Sequence, residues 1–287
     1  MEKIIKLTGV LSALGEIPEP PEQLYMEGTL PPADIKLLAV VGSRKLSGYG
    51  KDCCEKLIEG LMGYPISIIS GLAIGMDTIA HKAALRAGLH TVAIPGSGLS
   101  RSVLHPHSNR RLADEIINTG GCLLTEYEPE YPAGIHTFPK RNRIMAGLAQ
   151  AVLIIEAGER SGTLITARLA TEYNRDVLVV PGSIFSPNSA GTNRLLSQGA
   201  TPITSSDNLL VALGFDTSEN TEKNRTLDLA DLSLLERDII ELLSVEPLPR
   251  DELINSLEAS VSEINTALSV LEIKNIITET LGELRLN

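Results

Sequence analysis

The residues best equipped to do chemistry stand in four short segments, each directly after an apolar run. Gly42-Ser43-Arg44 follows residues 37–41, and Ser70-Gly71-Leu72-Ala73-Ile74-Gly75 ends and follows residues 66–70. Pro95-Gly96-Ser97-Gly98 follows residues 90–94, and Gly158-Glu159-Arg160-Ser161-Gly162-Thr163 follows residues 152–155. Glycine lets a backbone approach a ligand closely, serine and threonine add hydroxyl donors, and arginine adds a charged fork. If the apolar runs are parallel strands, all four turns lie at the carboxyl edge of one sheet, where helix N-termini point amides at anions. The predicted chemistry is phosphate binding. Any one of these turns alone is an ordinary strand-to-helix connection, so the argument rests on their number and on Arg44 and Arg160 among them.

The densest cluster is Phe138-Pro139-Lys140-Arg141-Asn142-Arg143, placed just before a helix over residues 142–148. Lys140, Arg141 and Arg143 supply three cations, Asn142 an amide and Phe138 a ring. That set suits a groove that follows a sugar-phosphate backbone while a base stacks on the ring. Cations crowded at a helix start, which prefers negative charge, point to a ligand rather than to the helix itself. Absences narrow the ligand. The first turn reads G-S-R-K-L-S-G and the second strand ends in Ser70 rather than an acid, so a dinucleotide fingerprint is missing; Gly50-Lys51-Asp52 is no P-loop. No nicotinamide or other cofactor is expected. Neither the three cysteines, two of them adjacent at Cys53-Cys54, nor His105 and His107 have metal-ligand spacing with further donors nearby, so no metal is expected.

The elements that must hold these segments follow from periodicity. Short β-branched runs at residues 37–41, 66–70, 90–94, 122–125, 152–155, 177–180 and 202–204 alternate with helical patterns at 49–61, 74–87, 109–118, 142–148, 163–173 and 193–198. This alternation predicts an α/β fold, a doubly wound, mostly parallel, Rossmann-like sheet over residues 36–215. Residues 1–35 are expected to be an N-terminal extension holding one helix and a proline-rich extended stretch, and polar residues 216–227 a linker. Residues 228–287 read as three short amphipathic helices and a small hairpin, the winged-helix pattern.

Composition fits a globular chain of 287 residues with 43% hydrophobic and 21% charged residues, and no apolar run approaches the ~18 residues that span a bilayer. A cytoplasmic protein is expected. The net charge of −11 looks hostile to nucleic acid until it is divided. Residues 1–225 hold 21 Lys+Arg and 23 Asp+Glu, a net of −2, whereas residues 226–287 hold 4 and 13, a net of −9. A nearly neutral core can carry a basic groove, because local field decides anion binding.

Taken together, GSR, SGLAIGMDTIAH, AIPGSG, FPKRNRIMAGLA, SGTLITARLA, DVLVVPG and GTNRLLSQGA, in this order over residues 20–212, resemble the DNA processing protein A (DprA/Smf) family. The resemblance implies a non-enzymatic protein that forms a homodimer, binds single-stranded DNA without sequence preference, protects it, and helps load the RecA recombinase onto it during natural transformation. Carried over by motif, the family's DNA-binding turn matches Gly42, Ser43 and Arg44, its F-P-x-R-N-R segment matches Phe138, Lys140, Arg141, Asn142 and Arg143, and its S-G-x-L-x-T-A turn matches Ser161, Gly162, Thr163 and Thr166. Ser70, Gly71 and Gly96 complete the expected DNA site. His105-Pro106 stands where the family often shows Tyr-Pro, and Asn174-Arg175 where Gly-Arg is usual. The helical domain that many members place before the core is not expected within the short stretch ahead of residue 36.

The alternative is a nucleotide phosphoribohydrolase resembling lysine decarboxylases, whose P-G-G-x-G-T-x-x-E turn carries a carboxylate for ribosyl cleavage. Here Thr166 occupies the acidic position, and a hydroxyl at neutral pH cannot take the proton or stabilise the positive charge. The tail is expected to meet a protein or cover the basic core rather than read DNA, because its candidate recognition helix is flanked by Glu258, Glu263 and Glu272.

Overall fold

The strand over Lys36–Val41 is covered on both sides: Leu37, Ala39 and Val41 join one apolar core while Leu38 and Val40 join another. Successive side chains alternate across a sheet, so an uninterrupted apolar strand needs helices on both faces. The computed structural model supplies them; it describes residues 1–4, 6–216, 232–274, 276–280 and 282–286. Two compact units divide the chain, Met1–Thr217 and Ser218–Asn287.

In the first unit the strands are β1 (Glu2–Ile4), β2 (Leu24–Gly28), β3 (Lys36–Val41), β4 (Ile66–Ser70), β5 (His90–Ala93), β6 (Cys122–Thr125), β7 (Ala151–Ile154), β8 (Asp176–Val179) and β9 (Thr201–Pro202). The helices are α1 (Gly48–Glu59), α2 (Met76–Arg86), α3 (Arg110–Asn118), α4 (Thr137–Leu148), α5 (Thr163–Glu172), α6 (Ala190–Ser197) and α7 (Ser206–Ala212). Among the described residues they build a nine-stranded sheet ordered β1-β2-β6-β5-β4-β3-β7-β8-β9. From β6 to β9 every neighbouring pair is parallel, whereas β2 runs antiparallel to both β1 and β6. The chain winds outward from β3 through β4, β5 and β6, then returns to the other side of β3 as β7. The order therefore reverses between β3 and β7, and the loops that leave these two strands diverge to open a crevice.

One face of the sheet is covered by α4, α5 and the 3₁₀ turn Gly9–Gly15, the other by α1, α2 and α7. Residues 1–35 are thus built into this unit: β2 extends the sheet, and Leu11, Leu14 and Ile17 are buried against α4. Asn174 explains one departure from the family pattern. Its φ of 56° lies in the left-handed region, which glycine enters freely and asparagine more readily than other side chains.

The second unit contains α8 (Leu234–Val245), β10 (Leu248–Pro249), α9 (Arg250–Asn255), α10 (Val261–Ile273), β11 (Ile277–Thr280) and β12 (Glu283–Leu286). Its strands form an antiparallel sheet ordered β10-β12-β11, giving three helices and a wing. Reciprocal caps start two of the helices: Ser233 with Glu236 for α8, and Ser260 with Glu263 for α10. Ile239, Leu253, Ile264, Leu268, Leu271 and Leu284 make the core. Apart from Asp216, the expected linker lies outside the described residues.

Candidate nucleic-acid interface

At the β3/β7 switch point lies an open crevice of about 560 Å³. Its floor and one bank are the turn after β3, from Gly42 to Lys45. The facing bank is Gly158 and residues 160–163, which lead into α5. Helix α4 contributes Phe138, Arg141, Asn142 and Met145 to its lining. Four cations, Arg44, Lys45, Arg141 and Arg160, meet one carboxylate, Asp77, among its lining residues. The N-terminus of α5 adds the positive end of a helix dipole, so the crevice is built for anions.

Each cation is held differently. The Arg44 guanidinium lies 5.0 Å from the centre of the Phe138 ring, a cation–π contact that aims an otherwise exposed side chain along the crevice. Ser43 shapes the turn: its hydroxyl donates to the Lys45 carbonyl (2.9 Å) and accepts from the Lys45 N–H (3.0 Å). Arg141 is 5% exposed and donates to the Gly71 and Ile94 carbonyls at the ends of β4 and β5. Burial lowers its pKa to about 10, Asp77 working against that shift and Arg44 with it, so it stays protonated at neutral pH. Burial likewise raises the Asp77 carboxyl, against the pull of Arg141, the Ala73 N–H, Ser70 and Arg44. The Ser161 hydroxyl accepts from the Thr163 N–H (3.2 Å), and Thr163 and Thr166 are buried at the crevice wall.

The glycines of the second and third turns serve the α4 side chains. A Cβ on Gly71 would run into the Arg141 guanidinium, and one on Gly96 would come within 2.7 Å of the Phe138 ring. Ser70 is fully buried and spends its hydroxyl on the Val40 carbonyl (2.7 Å), so it ties β4 to β3 instead of facing a ligand. Gly71, Gly96 and Ser70 therefore support the site from beneath.

The F-P-K-R-N-R cluster lies within α4, whose helix begins at Thr137. Helical spacing then divides it: Phe138, Arg141, Asn142 and Met145 share the crevice face, while Lys140 and Arg143 point to the opposite one. Arg143 is buried there in an ion pair with Glu126 and donates to the Glu19 carbonyl (2.7 Å). Lys140 lies 3.6 Å from the same carboxylate, with its side chain 53% exposed. Of the three cations expected to serve one groove, only Arg141 therefore lines the crevice, and Arg143 is held in an ion pair away from it. Phe138 is also less free than a stacking ring should be, since Gly96, Arg44 and the His105 ring (5.7 Å between centroids) surround it. Lys45, Asp77 and Asn188 line the crevice without having been expected there. Lys45 directly follows the G-S-R turn and was legible; Asp77 and Asn188 reach the crevice through tertiary placement alone.

The family profile of DNA recombination-mediator protein A matches residues 11–214, and that of the DprA winged helix domain matches residues 223–282. Protein Smf of Escherichia coli is 37% identical over 268 residues, 91% of this chain and 71% of its own length. DNA processing protein DprA of Streptococcus pneumoniae is 44% identical over 203 residues, 70% of each chain. The X-ray structure of the latter superposes with a TM-score of 0.68 at 40% identity, covering 75% of both chains. A Helicobacter pylori DNA processing protein A, described for its single-stranded DNA binding mode, superposes with a TM-score of 0.64 at 30% identity, covering 74% of this chain and 94% of that one.

Proposed function

Since this chain belongs to the DNA recombination-mediator protein A (DprA/Smf) family, we propose that it binds single-stranded DNA in the β3/β7 crevice without sequence preference. In this reading it acts as a homodimer in the cytoplasm, protects incoming strands, and assists the loading of the RecA recombinase during natural transformation. It has no catalytic step of its own. The observation that carries the reading is the crevice itself, in which four cations face one buried carboxylate beside a helix N-terminus. Arg44, Lys45 and Arg160 take phosphates from the exposed side, and Arg141 adds charge from beneath. The described relative from Helicobacter pylori binds single-stranded DNA, which supports the same ligand here. Ribosyl cleavage finds less support, because Thr166 stands where that chemistry needs a carboxylate.

The test is a salt series of binding isotherms on single-stranded and duplex oligonucleotides. Affinity for the single strand should exceed that for duplex, and log K should fall against log salt by about 0.7 per phosphate neutralised. Equal affinity for both forms would refute the strand-selective reading.

A further inference from the structure

We propose that Phe185, with Ile184 beside it, is a base-stacking platform at the rim of the crevice. It would hold the bases of a single strand whose phosphates the crevice binds, so the inference rests on the single-stranded DNA reading above. The chain has only three Phe and no Trp, yet Phe185 is 90% exposed and Ile184 84% exposed. The two occupy the centre of a β-turn closed by the Ser186 N–H on the Ser183 carbonyl (3.0 Å), so the turn displays them at its tip.

The turn is pinned on both flanks. The Tyr49 hydroxyl donates to the Pro181 carbonyl (2.6 Å), and Gly182 exchanges hydrogen bonds with the Asn193 side chain (3.3 and 3.0 Å). Beyond it, the Asn188 amide donates to the Lys45 carbonyl (3.2 Å), and both of these residues line the crevice. Asn188 follows Phe185 by three positions, a span of at most roughly 10 Å. The turn follows β8, which neighbours β7 in the sheet, so it continues the carboxyl edge past the bank formed by residues 158–163. A strand running along this edge meets the cations first and the exposed ring next. Phe138 is less open to the same contact, because Arg44 occupies one of its faces. An aromatic face accepts any base, which suits binding without sequence preference.

The experiment uses the full-length chain with Phe185→Ala and Phe185→Trp, the latter giving a protein with a single tryptophan. With oligothymidylate, Phe185→Ala should weaken binding by about 5- to 100-fold and leave the salt slope unchanged, since a stacking contact and no phosphate contact is lost. Against an abasic oligonucleotide the two proteins should bind alike. Phe185→Trp should be quenched on adding oligothymidylate. If the wild type binds single strands while both variants behave like it and the tryptophan signal does not move, the platform is refuted and the crevice reading stands. If the penalty persists on the abasic strand, or accompanies a change in oligomeric state by light scattering, the ring serves another contact and the proposal falls. If the wild type itself fails to bind single strands, the functional reading fails first.

Discussion

At the scale of single residues, Arg44 and Phe138 act as one device. A guanidinium lies 5.0 Å from the ring's centre and occupies one of its faces, so the ring's contribution is expected to pass through Arg44. Arg44→Ala should leave the fold intact, because the side chain is exposed, and should reduce the salt slope by about 0.7. Phe138→Ala should also weaken binding, but the double variant should bind within about 0.5 kcal/mol of Arg44→Ala alone. Additive losses would mean that the ring meets the DNA independently. His81 carries a different prediction. It is fully buried, and its Nδ1–H donates to the Thr91 hydroxyl oxygen (2.8 Å), whose own proton goes to the Ile68 carbonyl. Burial, aided by Arg141, lowers its pKa from 6.5 to about 3. A depressed folded-state pKa gives stability that is present above pH 6.5 and lost as pH falls towards 3. Melting curves should therefore show stability falling below pH 6.5 with a slope approaching 1.4 kcal/mol per pH unit for this one group, by about the value of one pKa unit. His81→Gln should flatten that slope, and identical slopes in the two proteins would count against it.

At the scale of elements, α4 divides its charges between two faces and so between two tasks. Arg143 and Glu126 are each 8% exposed, and removing Arg143 leaves the Glu126 carboxylate with the more exposed Lys140, 3.6 Å away, as its remaining ion-pair partner. Arg143→Ala should cost stability by denaturant titration, less than the ~3 to 5 kcal/mol of a buried charge left wholly unpaired because Lys140 still faces Glu126, while the folded fraction binds DNA almost as before. Loss of binding at unchanged stability would return Arg143 to the interface. This division was hidden in the sequence because the helix was expected to begin at Asn142, whereas it begins at Thr137. Pro139 discouraged an earlier start, although proline is tolerated in a first helical turn, where its missing N–H is not needed. The strands were far more legible. Residues 66–70 match β4 residue for residue, since an apolar run closed by Pro65 and Gly71 leaves little choice. The strand β2 was missed because the prolines at 18, 20 and 21 dominate its approach, and its pairing with β6 is a long-range, antiparallel one that local pattern does not encode. Phe185 escaped notice for a related reason. Its exposure, and the Asn188–Lys45 hydrogen bond that ties its loop to the crevice, are properties of the assembled edge.

At the scale of the whole molecule, charge is partitioned between the two units. Residues 226–287 carry a net of −9, and the structure pairs three of their four cations with neighbouring carboxylates. Arg250 pairs with Glu272 and Glu279, Lys274 with Glu236, and Arg285 with Glu283. Little positive field is left to attract a phosphate backbone, whatever groove-reading shape the three helices and wing provide. Deleting residues 226–287 should therefore leave single-stranded DNA binding intact or somewhat stronger. The effect should be largest at low salt, since at 0.1 M ionic strength charges more than about 10 Å apart are already largely screened. The comparison is an isotherm for full-length and truncated protein at two salt concentrations, with light scattering to hold the oligomeric state fixed. Strengthening that grows as salt falls would show the acidic unit repelling or competing with DNA. A large loss of affinity from a truncated core that is still folded and still in its original oligomeric state would mean that the winged helix contacts DNA despite its charge, through surface that its net −9 does not describe.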